Sequence, residues 1–345
     1  MSRILFIHNA LTRFVATDLA ILQEQHTVEE LALLKKASIN PFSTWKAVRR
    51  NDIIFAWFAS WHSLLPVCFA AWQKKPAVLV CGGYDTANVP AAGYGNQRSW
   101  LKRSITNFII RRSTGIICNS DFAKNEIIAV SGVHENKISR IYHGIEAQVK
   151  PIPIKLNIAL TIGNVFEENL LRKGIEPFLA AGNLLPSYQF MHGGAWKDKS
   201  IERLRKYESS NVQIRGFVSE IELQSQYAVS KVYVQPSLHE AFGMSVVEAM
   251  MMGCIPVVSA YGALPEVVAE YGIILKDNSP EAIVQGIRKS ESFTYSPEQI
   301  RLFVTERYSM EQRKEGLLNY ISGLYNRKGR TGKVVFKNEY STQTH

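Results

Sequence analysis

Ser237-Leu238-His239-Glu240-Ala241-Phe242-Gly243-Met244-Ser245-Val246-Val247-Glu248-Ala249-Met250 follows a short β-like run, residues 232–235, and leads into an apolar helical segment that stops at Gly253. Strand, loop and helix make one unit of an α/β domain. A helix that begins at a glycine leaves backbone N–H groups facing the loop, a seat for an anion. Glu240 falls in the loop and Glu248 one to two turns into the helix. One carboxylate can then reach the reacting end of a ligand while the other reaches a hydroxyl-rich part. A phosphate on the amides, a diol on Glu248 and a sugar near Glu240 describe a sugar nucleotide. The plainer alternative is an ordinary strand–loop–helix unit with both glutamates solvated. Against it stands a second signature, Gly262-Ala263-Leu264-Pro265-Glu266, after the expected strand 255–259.

At 345 residues the chain is long for one core and suggests two domains of similar size. No stretch is long and apolar enough to span a bilayer, and the first residues run into a strand without a signal-peptide pattern. A cytoplasmic location is expected, with peripheral contact at the cytoplasmic face of a membrane as a further expectation. Cys68, Cys81, Cys118 and Cys254 are scattered singly, as reduced thiols rather than a disulfide framework or a zinc site. The net charge of +10 is uneven: residues 1–150 hold 18 Lys/Arg against 10 Asp/Glu, a surplus of 8. A basic first half points to a phosphorylated acceptor, an acidic membrane surface or nucleic acid, or is a basic surface without a partner.

In the first half, residues 3–8, 52–57, 76–81, 115–119 and 139–142 read as strands, and 14–23, 60–74, 98–112 and 121–130 as helices. This alternation belongs to the α/β class with mostly parallel strands. The first loop, Asn9-Ala10-Leu11-Thr12-Arg13, lacks the glycine-rich dinucleotide fingerprint. Arg13 could hold an anionic ligand or be a surface arginine. Gly82-Gly83 after a buried strand permit close approach of a ligand. Asp85 beyond them stands where a base or an orienting carboxylate would be useful, or caps the loop. Arg98, Lys102, Arg103, Arg111 and Arg112 share a segment with Leu101, Ile105, Phe108 and Ile109 at helical spacing. This basic amphipathic helix either meets lipid head groups or packs on the sheet. Lys150-Pro151-Ile152-Pro153 reads as the linker.

The second half starts afresh with the run 158–162, whose loop, Gly163 to Gly174, precedes a helix at 175–184. Arg172 and Lys173, beside Gly174, can neutralise a diphosphate, the arginine as a fork and the lysine as a point charge. Strands are expected at 188–192, 212–216, 231–236 and 272–275, with Phe217 and Val218 available to wall a base pocket. Ser219 and Glu222 open the helix 220–230 with a capping box. A last long helix covers 310–325, and the tail from Asn326 is basic and expected to be poorly ordered.

These residues carry a family likeness. The chain resembles the retaining two-domain glycosyltransferases of family 4 (group 1), which have the GT-B fold. Glu240 to Glu248 is similar to that family's glutamate–seven residues–glutamate motif, Phe242-Gly243 included, and Gly262 to Glu266 to its Gly-x-x-Pro-Glu element. Lys173-Gly174, Ser120 and His143-Gly144 fall at family-like places. The resemblance implies an α/β architecture of two Rossmann-like domains facing each other across a cleft. Residues 1–150 would bind the acceptor, 151–309 the nucleotide sugar, 310–325 would cross back to the first domain, and 326–345 would be the tail.

By the same resemblance, Lys173 binds donor phosphate, Glu248 the ribose hydroxyls, and Glu240 faces the donor sugar. The amides of Phe242, Gly243 and Met244 hold the sugar or its phosphate. The family's Gly-Arg opening of the phosphate loop is here Gly163-Asn164, so Arg172 is the candidate to supply the missing charge. Where relatives carry a histidine near the donor sugar, this chain has Gly82-Gly83-Tyr84-Asp85, which makes Asp85 a candidate for that role. The implied reaction moves a hexosyl or N-acetylhexosaminyl group from a UDP- or GDP-sugar to a glycan, lipid-linked or small-molecule acceptor, with retention and without a metal or prosthetic group. No Asp-x-Asp pair is present to hold a divalent ion. The rival readings are a sugar-nucleotide epimerase on the same fold and a non-catalytic polyanion-binding protein. No nucleic-acid recognition module is evident.

Overall fold

The computed structural model describes residues 2–148 and 151–328. They form two compact units. The first takes in the chain up to Asn88, Gly95–Gly144 and the chain from Glu311, and the second takes in Val89–Tyr94 and Ile145–Met310. The change of unit thus falls at Gly144, and a short piece of the first half goes with the second unit.

The first unit runs β1 (Arg3–His8), α1 (Arg13–Gln25), β2 (Thr27–Ala32), α2 (Pro41–Arg50), β3 (Ile53–Trp57), α3 (Trp61–Trp72), β4 (Ala77–Val80), α4 (Trp100–Arg112), β5 (Gly115–Cys118), α5 (Asp121–Ser131) and β6 (Ile138–Arg140). Its six strands are all parallel, in the order β2-β1-β3-β4-β5-β6. β3, β4 and β5 are buried at every position, which is why they read as unbroken apolar runs. β2 is the edge strand and carries Glu29 and Glu30 on a half-exposed pattern. It has no apolar run to announce it, and the sequence reading passes over it and over α2.

The second unit runs β7 (Leu156–Ile162), α6 (Glu167–Lys173), α7 (Ile175–Leu184), β8 (Gln189–Gly193), α8 (Ile201–Leu204), β9 (Val212–Ile214), α9 (Glu220–Val229), β10 (Ser230–Gln235), α10 (Met244–Met251), β11 (Ile255–Val258), α11 (Leu264–Val268), β12 (Ile273–Ile274), α12 (Pro280–Lys289) and α13 (Pro297–Arg307). Its strands are also parallel, ordered β12-β11-β10-β7-β8-β9. Successive strands fill the sheet outward from β7 on one side and then outward from β10 on the other. The order therefore reverses between β7 and β10, and in open α/β sheets a ligand binds at the carboxyl ends of the strands at such a point.

The last helix, α14 (Met310–Lys328), joins the first unit from Glu311. Asn326 to Lys328 continue this helix, and the rest of the basic tail lies outside the described residues. Among the described residues no helix is long and apolar enough to cross a membrane. The four cysteines are free thiols, Cys81, Cys118 and Cys254 buried and Cys68 half-buried. In α4 the buried residues are Thr106, Ile109 and Ile110. Trp100, Leu101 and Phe108 are 73%, 52% and 42% exposed. The apolar stripe is therefore divided: Ile109 is buried and Ile105 packs against the core, while Leu101 and Phe108 are turned outward.

Candidate active site

The two loops that leave the carboxyl ends of β7 and β10 carry the charged candidates. After β7 the chain folds residues 167–173 into α6, a helix the sequence reading takes as loop. Gly174 ends it in the left-handed region, φ 64° and ψ 36°. A Cβ at Gly174 would lie 2.3 Å from the Pro236 carbonyl oxygen, so only glycine lets α6 end against the exit of β10. That close approach brings the α6 cations to the β10 loop. Lys173 Nζ donates to Glu240 Oε1 at 2.5 Å, and Arg172 Nη1 reaches the same oxygen at 3.4 Å and the His239 carbonyl at 3.3 Å. Arg172 Nη2 also donates to Asn169 Oδ1 at 2.6 Å. All three charged side chains are mostly covered.

Burial alone would raise the Glu240 carboxyl. The Lys173 and Arg172 charges, with hydrogen bonds from Lys173 and Ser237, outweigh it and hold Glu240 below the usual carboxylate range. Burial lowers the Lys173 ammonium, against the pull of Glu240. Behind Glu240 runs a directed chain of donors. Tyr233 Oη and Ser245 Oγ donate to Gln235 Oε1, Gln235 Nε2 to Ser237 Oγ, and Ser237 Oγ to Glu240 Oε1. Every link is satisfied, which fixes the carboxylate's rotamer. The second signature holds the same loop. Gly262, at φ 71°, would place a Cβ 2.4 Å from the Glu240 carbonyl oxygen, and Ala263 N donates to that oxygen at 2.8 Å.

Gly163 and Asn164 are tied to the end of β8. Gly163 N donates to the Gly193 carbonyl, and its own carbonyl accepts from His192 Nε2 at 2.9 Å. Donation by Nε2 requires the tautomer with the proton there. Burial lowers the His192 pKa to about 4, against the Gly163 bond, so the ring is neutral at neutral pH. Asn164 Oδ1 accepts from Ala195 N at 3.1 Å. Gly163 lies beside the Lys173 stem, where an added Cβ would sit 3.5 Å from Lys173 Cγ.

Two family models match adjoining parts of the chain: "Glycosyltransferase Family 4" over residues 27–149 and "Glycosyl transferases group 1" over 145–301. The chain belongs to the group 1 glycosyltransferases. The stretch matched by the group 1 model contains every charged residue of the β7–β10 cluster. A phosphatidylinositol N-acetylglucosaminyltransferase subunit from Arabidopsis thaliana is 24% identical over 229 residues, 64% of this chain and 51% of that protein. An O-antigen chain mannosyltransferase B of Escherichia coli is 30% identical over 197 residues, 51% of each chain. The chain thus spans about half the length of these curated relatives. Among solved structures, Anabaena HepE in complex with UDP and glucose superposes with a TM-score of 0.72 at 14% identity, covering 93% of this chain and all of that one. At that identity the likeness establishes the GT-B fold.

In this group 1 glycosyltransferase the remaining candidates sit as follows. Glu248 is half-buried on α10; burial raises the Tyr227 and Tyr233 phenols, and the Glu248 charge is among the smaller contributions in the same direction. Gly243, at φ 103°, precedes α10, and Met244 is the helix's first residue. The Phe242 ring is buried edge-on against Tyr308, 5.4 Å between centroids. Phe217 is 80% exposed.

Arg13 and Asp85 belong to the first unit. Arg13 opens α1 and is exposed. Asp85 is buried and its oxygens accept from the backbone N–H groups of Ala59 (2.9 Å) and Gly82 (2.8 Å). Burial raises its pKa to about 6, against those bonds. The carboxylate is spent on backbone, so it orients two loops. The loop after β3 needs it, because Phe58 has φ 68°, a costly conformation for an aromatic residue. His62 Nε2 and Ser63 Oγ hold the carbonyls of Trp57 and Phe58 around it. The Phe58 ring lies over Gly82, where a Cβ would come within 2.2 Å of Cε1. What approaches the paired glycines closely is this ring, an outcome that the sequence reading assigns to a ligand.

Proposed function

We propose that the chain is a retaining, metal-independent glycosyltransferase that moves a hexosyl or N-acetylhexosaminyl group from a UDP- or GDP-sugar to an acceptor hydroxyl. The observation that supports this reading best is the meeting of Lys173, Arg172 and Glu240 at the strand ends where the order of the second sheet reverses. Lys173 and Arg172, with the amides at Gly243 and Met244, take the diphosphate, and Glu248 takes the ribose diol. As the bond from the anomeric carbon to the phosphate oxygen breaks, its electron pair goes to the diphosphate, whose growing charge the cations meet. The acceptor oxygen bonds to the same face and its proton passes to the departing phosphate. Glu240, held ionised, faces the sugar and stabilises positive charge at the anomeric carbon, without acting as a nucleophile.

The first unit supplies the acceptor side, with Arg13 as an anion contact and Asp85 acting through the loops it holds. Trp100, Leu101 and Phe108, exposed on the same helix as Lys102 and Arg103, support a lipid-linked or anionic acceptor met at a membrane surface. The deciding experiment is isothermal titration with UDP, GDP and their sugar conjugates, with and without magnesium. One nucleotide family should bind without the metal, and Lys173→Ala should weaken it about 100-fold. Absence of binding by any of them would sink the transferase reading. NMR of the anomeric proton of the product tests retention, and vesicle co-sedimentation at low and high salt tests the membrane contact.

A further inference from the structure

The second unit includes a segment from far earlier in the sequence than the rest of it, Val89–Tyr94. An antiparallel bridge closes this segment, Val89 N donating to the Tyr94 carbonyl at 3.0 Å and Tyr94 N to the Val89 carbonyl at 3.1 Å. Glycines in the left-handed region flank Tyr94, Gly93 at φ 65° and Gly95 at φ 105°. A Cβ at Gly95 would fall 1.9 Å from the Ala87 carbonyl oxygen, so only glycine fits there. The Tyr94 ring lies on Arg172. The guanidinium carbon stands 4.6 Å from the ring centroid, and the His239 ring is 5.7 Å from the same ring.

A guanidinium donates from its edge and stacks with its faces. In Arg172 one face lies on Tyr94, and edge N–H groups go to Asn169, the His239 carbonyl and Glu240. We infer that Tyr94 is a positioning residue of the donor site, which sets the plane in which Arg172 offers its N–H fork to the diphosphate. The inference rests on the diphosphate reading above and adds a residue outside every motif that carries it. It also accounts for the Gly163-Asn164 opening. An arginine supplied from the end of α6 needs a support of its own, and the ring provides one by attraction between cation and π face.

Titration of the full chain with UDP and with GDP tests this, using Tyr94→Ala, Tyr94→Phe, Arg172→Ala and the double variant Tyr94→Ala/Arg172→Ala. Tyr94→Ala should weaken the nucleotide that the unaltered protein binds by about tenfold. Tyr94→Phe, which keeps the ring, should restore binding. In the Arg172→Ala background the loss of the ring should change nothing further, because the ring acts through that arginine. Unaltered binding by Tyr94→Ala overturns the inference and leaves the donor reading standing. So does an equal loss in both backgrounds, which would mark a fold effect independent of Arg172. Failure of the unaltered protein to bind either nucleotide removes both readings together.

Discussion

Oε1 of Glu240 receives the Lys173 ammonium, the Arg172 guanidinium and the Ser237 hydroxyl together. A diphosphate arriving at those cations competes with a carboxylate already there. Two unit charges about 4 Å apart interact by about 4 kcal/mol at an effective dielectric near 20, so the competition is not small. Glu240→Gln keeps the shape and removes the charge. UDP or GDP, which carry no sugar, should then bind about tenfold tighter, a difference of about 1.4 kcal/mol. Sugar transfer should fall about 100-fold, because charge at the anomeric carbon loses its partner. Titration of the bare nucleotide beside initial rates reads both effects, and weaker nucleotide binding by this variant would show that no such competition exists. Glu240, Glu248 and Lys173 are legible in the sequence because residue type and spacing survive as a local pattern. Gln235 and Ser237 are not, since a polar residue after a strand looks the same whether it is solvated or part of a buried chain of donors. Asp85 can be read from sequence as a base or as a cap, and its carboxylate accepts from the N–H groups of Ala59 and Gly82, partners that no local pattern announces.

At the scale of elements, the junction of α6 with the exit of β10 decides whether the cations reach Glu240. Gly174→Ala should cost about 2 kcal/mol or more, because an L side chain disfavours this φ and the new Cβ meets the Pro236 carbonyl. Gly132→Ala is the matched control, at φ 69° with nothing within 4 Å of the added Cβ. It should lose only the conformational part, about 1 kcal/mol. Urea denaturation of the two variants separates the terms, and equal losses would mean that the contact with Pro236 plays no part. Nucleotide binding should fall in Gly174→Ala alone. Strands buried on both faces, such as β3 and β4, announce themselves as apolar runs. β2 does not, because an edge strand half open to water needs no such run. α6 is hidden for another reason. Its seven residues are mostly good helix formers, but the stretch is too short to show an apolar stripe, and so short a helix holds only with tertiary contact. In α4 the helix is legible and its buried face only in part, at Ile105 and Ile109. Thr106 goes inward while Leu101 stays out, a choice made by its neighbours in the fold.

For the whole molecule, membership of each unit is the least local property and the least legible one. Nothing in the residues of 89–94 marks them for the second unit, and the change of unit at Gly144 comes ahead of the prolines at 151 and 153 that read as a linker. The return of α14 to the first unit, expected only from the family likeness, has a physical anchor in a buried ion pair. Arg313 Nε and Nη2 donate to the two Asp18 oxygens at 3.0 and 2.6 Å, and Nη1 to the carbonyls of Ile141 (2.6 Å) and Tyr142 (3.3 Å). Gly316, one turn on, lies against Ile141. Arg313→Met would fill similar volume and strand the Asp18 carboxylate, at a loss of about 3–5 kcal/mol in the first unit. Burial raises the Asp18 pKa even against the pull of Arg313, and without that cation it rises further. A carboxyl whose folded pKa lies above its unfolded value lends stability below the unfolded value and loses it as pH climbs through the folded one. The deficit of Arg313→Met should therefore grow as pH rises and shrink as pH falls, and Asp18→Asn in the same chain should flatten that dependence. Urea denaturation at several pH values, followed by tryptophan fluorescence, reads mainly the first unit, which holds five of the six tryptophans. A deficit that stays constant with pH would mean that Asp18 is not left charged and buried, and that α14 is held by its apolar contacts instead.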